Sequence, residues 1–163
     1  MEKSSLKPGH LRRIKSLAPL DDAQLAAFIN YAEVVNLAQG TKLFQEGQPG
    51  DSMFLILEGE LRVVMKKQNS HEDLLLRVLH AGEGFGEIAL LNHTPRSATV
   101  EATQTSVLIK ISSAALQSLV TEQPALAAQF LHHIAKTLGR QLSETTVKLR
   151  THFDQVDVLS HIH

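Results

Sequence analysis

Cysteine is absent from the 163 residues. No disulfide framework and no thiolate chemistry is available, and the absence fits a reducing, cytoplasmic setting. Aromatic residues make up only 4% of the chain, too few for a platform on which single-stranded bases stack. No apolar run approaches the roughly 18 residues of a membrane span. The polar start, Met1 to Pro8, lacks the apolar stretch of a secretory signal. Neither sign of charge dominates: 16 Lys plus Arg against 17 Asp plus Glu gives a formal charge of −1. A chain built mainly to grip nucleic acid would be strongly basic. Direct DNA binding is therefore not expected, and neither is a membrane partner.

What is present suffices for one domain with a real core, since 43% of the residues are hydrophobic. Three zones follow along the chain. Residues 1–32 read as helical: Leu11, Ile14 and Leu17 sit at helical spacing, and Asp21 and Asp22 offer N-caps for a second helix carrying Leu25, Phe28 and Ile29. Residues 33–111 read as short strands, at 34–37, 42–44, 53–57, 61–65, 74–79, 98–102 and 107–111. Gln39-Gly40, the stretch 46–51, Gly59 and Asn69-Ser70 punctuate them. Many short strands of this kind predict an all-β barrel or sandwich. Residues 112–163 turn helical again. Ser112 or Ser113 caps a short helix ending near Val120, and Pro124 opens a long one. Along it Leu131, Ile134, Leu138, Leu142, Leu149, Phe153 and Val156 form an apolar stripe, weakened locally by Gly139. The stripe serves either to pack the helix on its own domain or to pair it with a second copy.

The chemistry lies between Gly82 and Val100. Glycines at 82, 84 and 86 permit tight turns and close backbone approach. A short helix-forming run, Glu87 to Leu91, follows at once. Its first amides point outward and its dipole favours an anion. Glu87 stands in that first turn as an acceptor. Arg96, nine residues on, carries a guanidinium suited to bidentate pairing with phosphate, and Ser97 adds a hydroxyl beside it. Backbone donors, a cation and a carboxylate together suit a phosphorylated ribose. The bland alternative is a bulged hairpin with a surface arginine.

Phe85-Gly86-Glu87-Ile88-Ala89-Leu90, followed by Arg96-Ser97-Ala98-Thr99, resembles the phosphate-binding cassette of the cyclic-nucleotide-binding domain family. Glu46-Gly47, Gly50-Asp51 and Gly59 resemble that family's structural glycines. The likeness extends over about residues 15–145. It implies an eight-stranded antiparallel β-roll, jelly-roll-like, with N-terminal helices and a long C-terminal helix. In that roll Glu87 accepts from the ribose 2′-hydroxyl, Arg96 neutralises the cyclic phosphate and Ser97 bonds a phosphate oxygen. The backbone near Gly86, Ile88 and Ala89 completes the cradle. Glu87 and Arg96 are also placed to pair with each other. Losing Arg96 is expected to cost about 2–5 kcal/mol of affinity. By position, Val63, Leu76 and Arg77 are the strand candidates for the base, and Arg140, Gln141, Leu142 and Ser143 fall where family members place their lid. Ser97 favours cyclic AMP as the ligand over cyclic GMP. No cofactor, metal or catalysis is implied. The division is residues 1–32 for the N-terminal helical segment, 33–111 for the roll, and 112–163 for the hinge and the lid or dimerisation helix.

The expected partners are the nucleotide, a second copy through the C-terminal helix, and an effector protein or attached effector domain. No helix-turn-helix unit is seen before His163. Two rival functions are set beside this one. An inactive-site module that only binds partners would have no use for Glu87 and Arg96. A cupin-type metalloenzyme would need paired histidines on strands. His71, His80 and His93 fall in turns, His132 and His133 are adjacent on a helix, and His161 and His163 lie at the chain end.

Overall fold

The computed structural model describes the backbone of residues 1–67 and 72–160, and their side chains except at 152 and 154–160. The expected break at Asn69-Ser70, His71, the terminal histidines and the Val156 side chain lie outside the described residues.

Eight strands follow a short N-terminal region: β1 (Glu33–Leu37), β2 (Lys42–Phe44), β3 (Ser52–Glu58), β4 (Glu60–Lys66), β5 (Asp73–His80), β6 (Gly84–Phe85), β7 (Thr99–Ala102) and β8 (Ser106–Ser112). They form two four-stranded antiparallel sheets, in the orders β1-β8-β3-β6 and β2-β7-β4-β5. The expected eight-stranded roll is what forms. Its interior draws Leu37, Phe54, Ile56, Phe85 and Leu108 from one sheet and Leu61, Leu79, Val100 and Ala102 from the other. Side chains alternate along a strand, so Met53, Leu55, Leu57, Ile109 and Ile111 point the other way. They are buried too, so β3 and β8 are covered on both faces. Runs without polar alternation are the sequence mark of such strands.

The helices are α1 (Pro8–Leu11), α2 (Asp22–Ile29), α3 (Glu87–Asn92), α4 (Ser113–Glu122) and α5 (Pro124–Ser160). Asp21 caps α2 by accepting from the Gln24 amide, and the Gln24 side chain accepts in return from the Asp21 amide. Ser112 caps α4 by accepting from the Ala115 amide at 3.1 Å. Pro124 opens α5.

Two readings need correction. The spacing of Leu11, Ile14 and Leu17 does not mark one regular helix, because α1 ends at Leu11. Beyond it the amides of Ile14, Leu17 and Leu20 each donate to the carbonyl three residues back. A strict spacing of three fits such tight turns better than a period of 3.6. All four leucine and isoleucine side chains are nonetheless buried. The second correction is β6. It is only two residues long, hidden among glycines, and pairs with Phe54 and Leu55.

The chain divides into two compact units, Met1–Gln129 and a second that begins at Phe130. The second is the greater part of α5. No helix among the described residues is long and apolar enough to cross a membrane.

Candidate functional site

Gly86 sets the site's backbone. It is the N-cap of α3 and adopts φ 83°, ψ 13°, the left-handed region, which costs a residue with a side chain about 1–2 kcal/mol. A Cβ there would stand 3.0 Å from Arg96 Nη1 and 3.2 Å from the Ser52 carbonyl oxygen. With no side chain at the N-cap, α3 presents the amides of Ile88 and Ala89 without backbone acceptors in the helix. His93 closes α3, also left-handed at φ 52°. Its amide donates to the Ala89 carbonyl.

Arg96 is 7% exposed. Its backbone is tied to the turn after β2: the Arg96 amide donates to Gln48 O at 2.8 Å, and the Gly47 amide donates to Arg96 O at 2.9 Å. Its guanidinium donates from Nη1 to the Ser52 carbonyl at 2.7 Å and from Nη2 to Ser52 Oγ at 2.9 Å. Cζ lies 4.1 Å from the Phe44 ring centre and 5.6 Å from that of Phe54. Those rings and Phe85 form one cluster with centroids 5.5–6.2 Å apart. Arg96 Nε is buried and has no hydrogen-bond partner among the described residues. A Cβ on Gly50 would stand 3.0 Å from this nitrogen and 2.7 Å from Ala89 Cβ, so the close packing of this turn against Arg96 depends on glycine. Burial pulls the guanidinium below its ordinary pKa, opposed by the charge of Asp51.

Glu87 is also buried. Burial pushes its carboxyl above the ordinary range, opposed by its own backbone N–H and by the charge of Arg77. The expected pairing of Glu87 with Arg96 is not made: among the described residues no ion pair joins them. Arg96 spends two donors on Ser52 instead, and the charge felt by Glu87 is that of Arg77. Ala89 is also buried, while Ile88 and Ser97 are exposed.

Of the base candidates, Val63 packs against the interior cluster along with Phe44. Arg77 faces Val63 in the β4–β5 register. It pairs with Glu83 at 2.9 Å. Burial raises the Glu83 pKa, but the His80 amide, Arg77 and Lys15 outweigh it and hold that carboxyl low. Leu76 is skipped in the register between Val63 and Val64, which makes it a bulge residue, and it is exposed. Arg140, Gln141, Leu142 and Ser143 lie on α5 in the second unit. There Arg140 Nε stands 3.9 Å from Glu144.

Ser52, Phe44 and Gly50 were not singled out as site residues. Gly50 belonged to a turn signal and Phe44 to a strand. Nothing local marks Ser52, which reaches Arg96 across 44 residues. Among the described residues no three metal-binding side chains gather. His80 pairs with Glu60, and the His132 and His133 rings meet edge-on, 6.1 Å apart.

Residues 34–123, more than half of the chain, match the family described as the cyclic nucleotide-binding domain. A CRP-like cAMP-activated global transcriptional regulator from Mycobacterium tuberculosis is 24% identical over 74% of this chain and 54% of its own length. The cGMP-dependent protein kinase, isozyme 1, of Drosophila melanogaster is 39% identical over 56% of this chain and 12% of its own length. The chain therefore spans about half of the regulator and a small part of the kinase. The crystal structure of the N-terminal domain of a transcriptional regulator from Streptomyces coelicolor A3(2) superposes with a TM-score of 0.72 at 30% identity, covering 83% of this chain and 94% of that one.

Proposed function

The chain belongs to the cyclic nucleotide-binding domain family, and we propose that it is a regulatory sensor for cyclic AMP. The observation that carries this is Arg96, a buried guanidinium with an unpartnered Nε beside the left-handed turn at Gly86. A buried cation without an anionic partner is costly, and a cyclic phosphate supplies what it lacks. Glu87 takes the ribose 2′-hydroxyl and Ser97 a phosphate oxygen. The amides of Ile88 and Ala89 complete the cradle, and Val63 and Leu76 take the base. The function is binding alone, without a reaction. Ligand draws the cassette inward, and the break in helix at Gln123 (φ −135°, ψ 61°) acts as the hinge. There α5 moves as a lid, with Arg140, Gln141 and Ser143 on the moving part. An effector, attached or separate, receives that movement.

Cyclic GMP is the second reading. It is favoured by the cGMP-dependent kinase among the relatives, and it requires Arg77 to turn donors from Glu83 to the O6 and N7 acceptors of guanine. Calorimetric titration with both nucleotides tests the two. We expect micromolar or tighter binding of cyclic AMP and a loss of at least about thirtyfold in Arg96→Ala. Tighter binding of cyclic GMP, weakened by Arg77→Ala, would instead select the second reading. Absence of heat with either nucleotide on folded, ligand-free protein would remove both.

A further inference from the structure

Ser52 is the residue through which Arg96 is held. It is 2% exposed and lies at the start of β3. It offers two acceptors, its carbonyl oxygen and its hydroxyl, to the two terminal nitrogens of the guanidinium. A guanidinium has two edges for bidentate pairing: the end, made of the two Nη groups, and the side, made of Nε and one Nη. Ser52 occupies the end. The side keeps the Nε that has no hydrogen-bond partner among the described residues, next to Gly50 and Ala89. The serine thus orients the fork and spends none of the hydrogen-bonding capacity of the edge that carries Nε.

The same stretch of backbone carries α4. The Ser113 amide, at the first residue of α4, donates to the Asp51 carbonyl at 2.7 Å. Ser52 stands opposite Ser112, the N-cap of α4, in the β3–β8 register. Two adjacent residues therefore hold the arginine on one side and the start of α4 on the other. Any shift of the guanidinium that draws on Ser52 is felt within one peptide of the α4 anchor.

We infer that Ser52 is a positioning residue for Arg96 and the joint through which occupancy of the phosphate site reaches the first turn of α4. This rests on the cyclic-nucleotide reading. The hydroxyl makes one of the two bonds that fix the fork, so Ser52→Ala leaves the cation buried but free to turn about the remaining one. The near-isosteric Ser52→Cys keeps the volume and removes the strong acceptor.

The test is calorimetry with cyclic AMP and cyclic GMP on the full chain and on Ser52→Ala, Ser52→Cys, Arg96→Lys and the Ser52→Ala/Arg96→Lys double variant. Thermal melts and hydrogen exchange at residues 113–116, with and without nucleotide, accompany it. The expected result is a loss of about tenfold in affinity for both Ser52 variants, the scale of one charge-assisted hydrogen bond. In Arg96→Lys, which has no fork to orient, Ser52→Ala should add nothing further. The ligand-induced change in exchange at 113–116 should shrink in the Ser52 variants. A merely structural serine would lower the melting temperature and act additively with Arg96→Lys. That result, or unchanged affinity in Ser52→Ala and Ser52→Cys, overturns the inference while wild-type binding leaves the reading intact. Failure of the wild type to bind either nucleotide removes both together.

Discussion

Burial acts on Glu87 and Arg96 in the same sense: each charged form is disfavoured, so the acid's pKa rises and the base's falls. For Glu87 this has a consequence for stability. Its folded pKa lies above its unfolded one, so between the two values the folded chain holds more protons and stability falls as pH rises. Below the ordinary carboxylate range both states are protonated and the penalty vanishes. Above the raised value it is present in full. Glu87→Gln should therefore stabilise the ligand-free chain at neutral pH, by on the order of 1 kcal/mol, and confer no advantage in acid. Thermal melts of both forms across pH check this. The same substitution should weaken nucleotide binding, because an amide is a poorer acceptor for the ribose hydroxyl. Stability and ligand affinity moving in opposite directions is the mark of a side chain kept for function. Wild-type affinity should rise with pH through that window, since ligand favours the ionised carboxylate, and Glu87→Gln should flatten the profile. Glu87 and Arg96 could be picked out as candidates in the sequence because residue type and local spacing, together with the cassette resemblance, single them out, and both are buried in the fold. Ser52 and Phe44 could not, because their bearing on Arg96 is created by the tertiary fold, which brings β2 and β3 to the loop before β7. The supposed Glu87–Arg96 pair went wrong for the same reason: a local reading cannot see that Ser52 competes for the guanidinium.

Elements were legible where one period dominated. The strand runs punctuated by glycine lie close to β1–β5, β7 and β8, and the caps at Asp21 and Ser112 stand at the starts of α2 and α4. Legibility failed where the pattern was too short or its period ambiguous. Strand β6 has two residues, and spacing by three at 11, 14 and 17 belongs to successive tight turns. Helix α5 runs through Gly139 despite that residue's poor helix propensity. Nothing among the described residues stands within 4 Å of a Cβ placed there, and the backbone is not in the left-handed region. Gly139→Ala should therefore stabilise α5 by about 0.5–1 kcal/mol, seen as increased helical circular dichroism and a higher melting temperature. The contrast with Gly86 is instructive. There the left-handed backbone and the crowding against Arg96 and Ser52 make any side chain a defect.

At the scale of the whole molecule the open matter is what α5 does along its length. It has 37 residues, about 55 Å at 1.5 Å per residue. Leu126, Phe130 and Ile134 are buried, whereas Leu142, Val147 and Leu149 are between 53% and 69% exposed. A lid needs only the turns up to Ser143, so the exposed apolar residues beyond it call for another explanation. A second copy laying the same stripe against this one would bury them symmetrically. The two roles make separable predictions. Sedimentation should give a dimer for the wild type and a monomer for Leu149→Glu, with the melting of the roll unchanged. If the lid works within one chain, saturating cyclic AMP should still slow hydrogen exchange over residues 124–140 in that monomer. A monomeric wild type would dismiss the pairing. Unchanged exchange over 124–140 in both forms would dismiss the lid. Slowing seen only in the dimer would mean that the sensor is complete only as a pair, with the distal stripe holding each proximal helix where ligand can reach it.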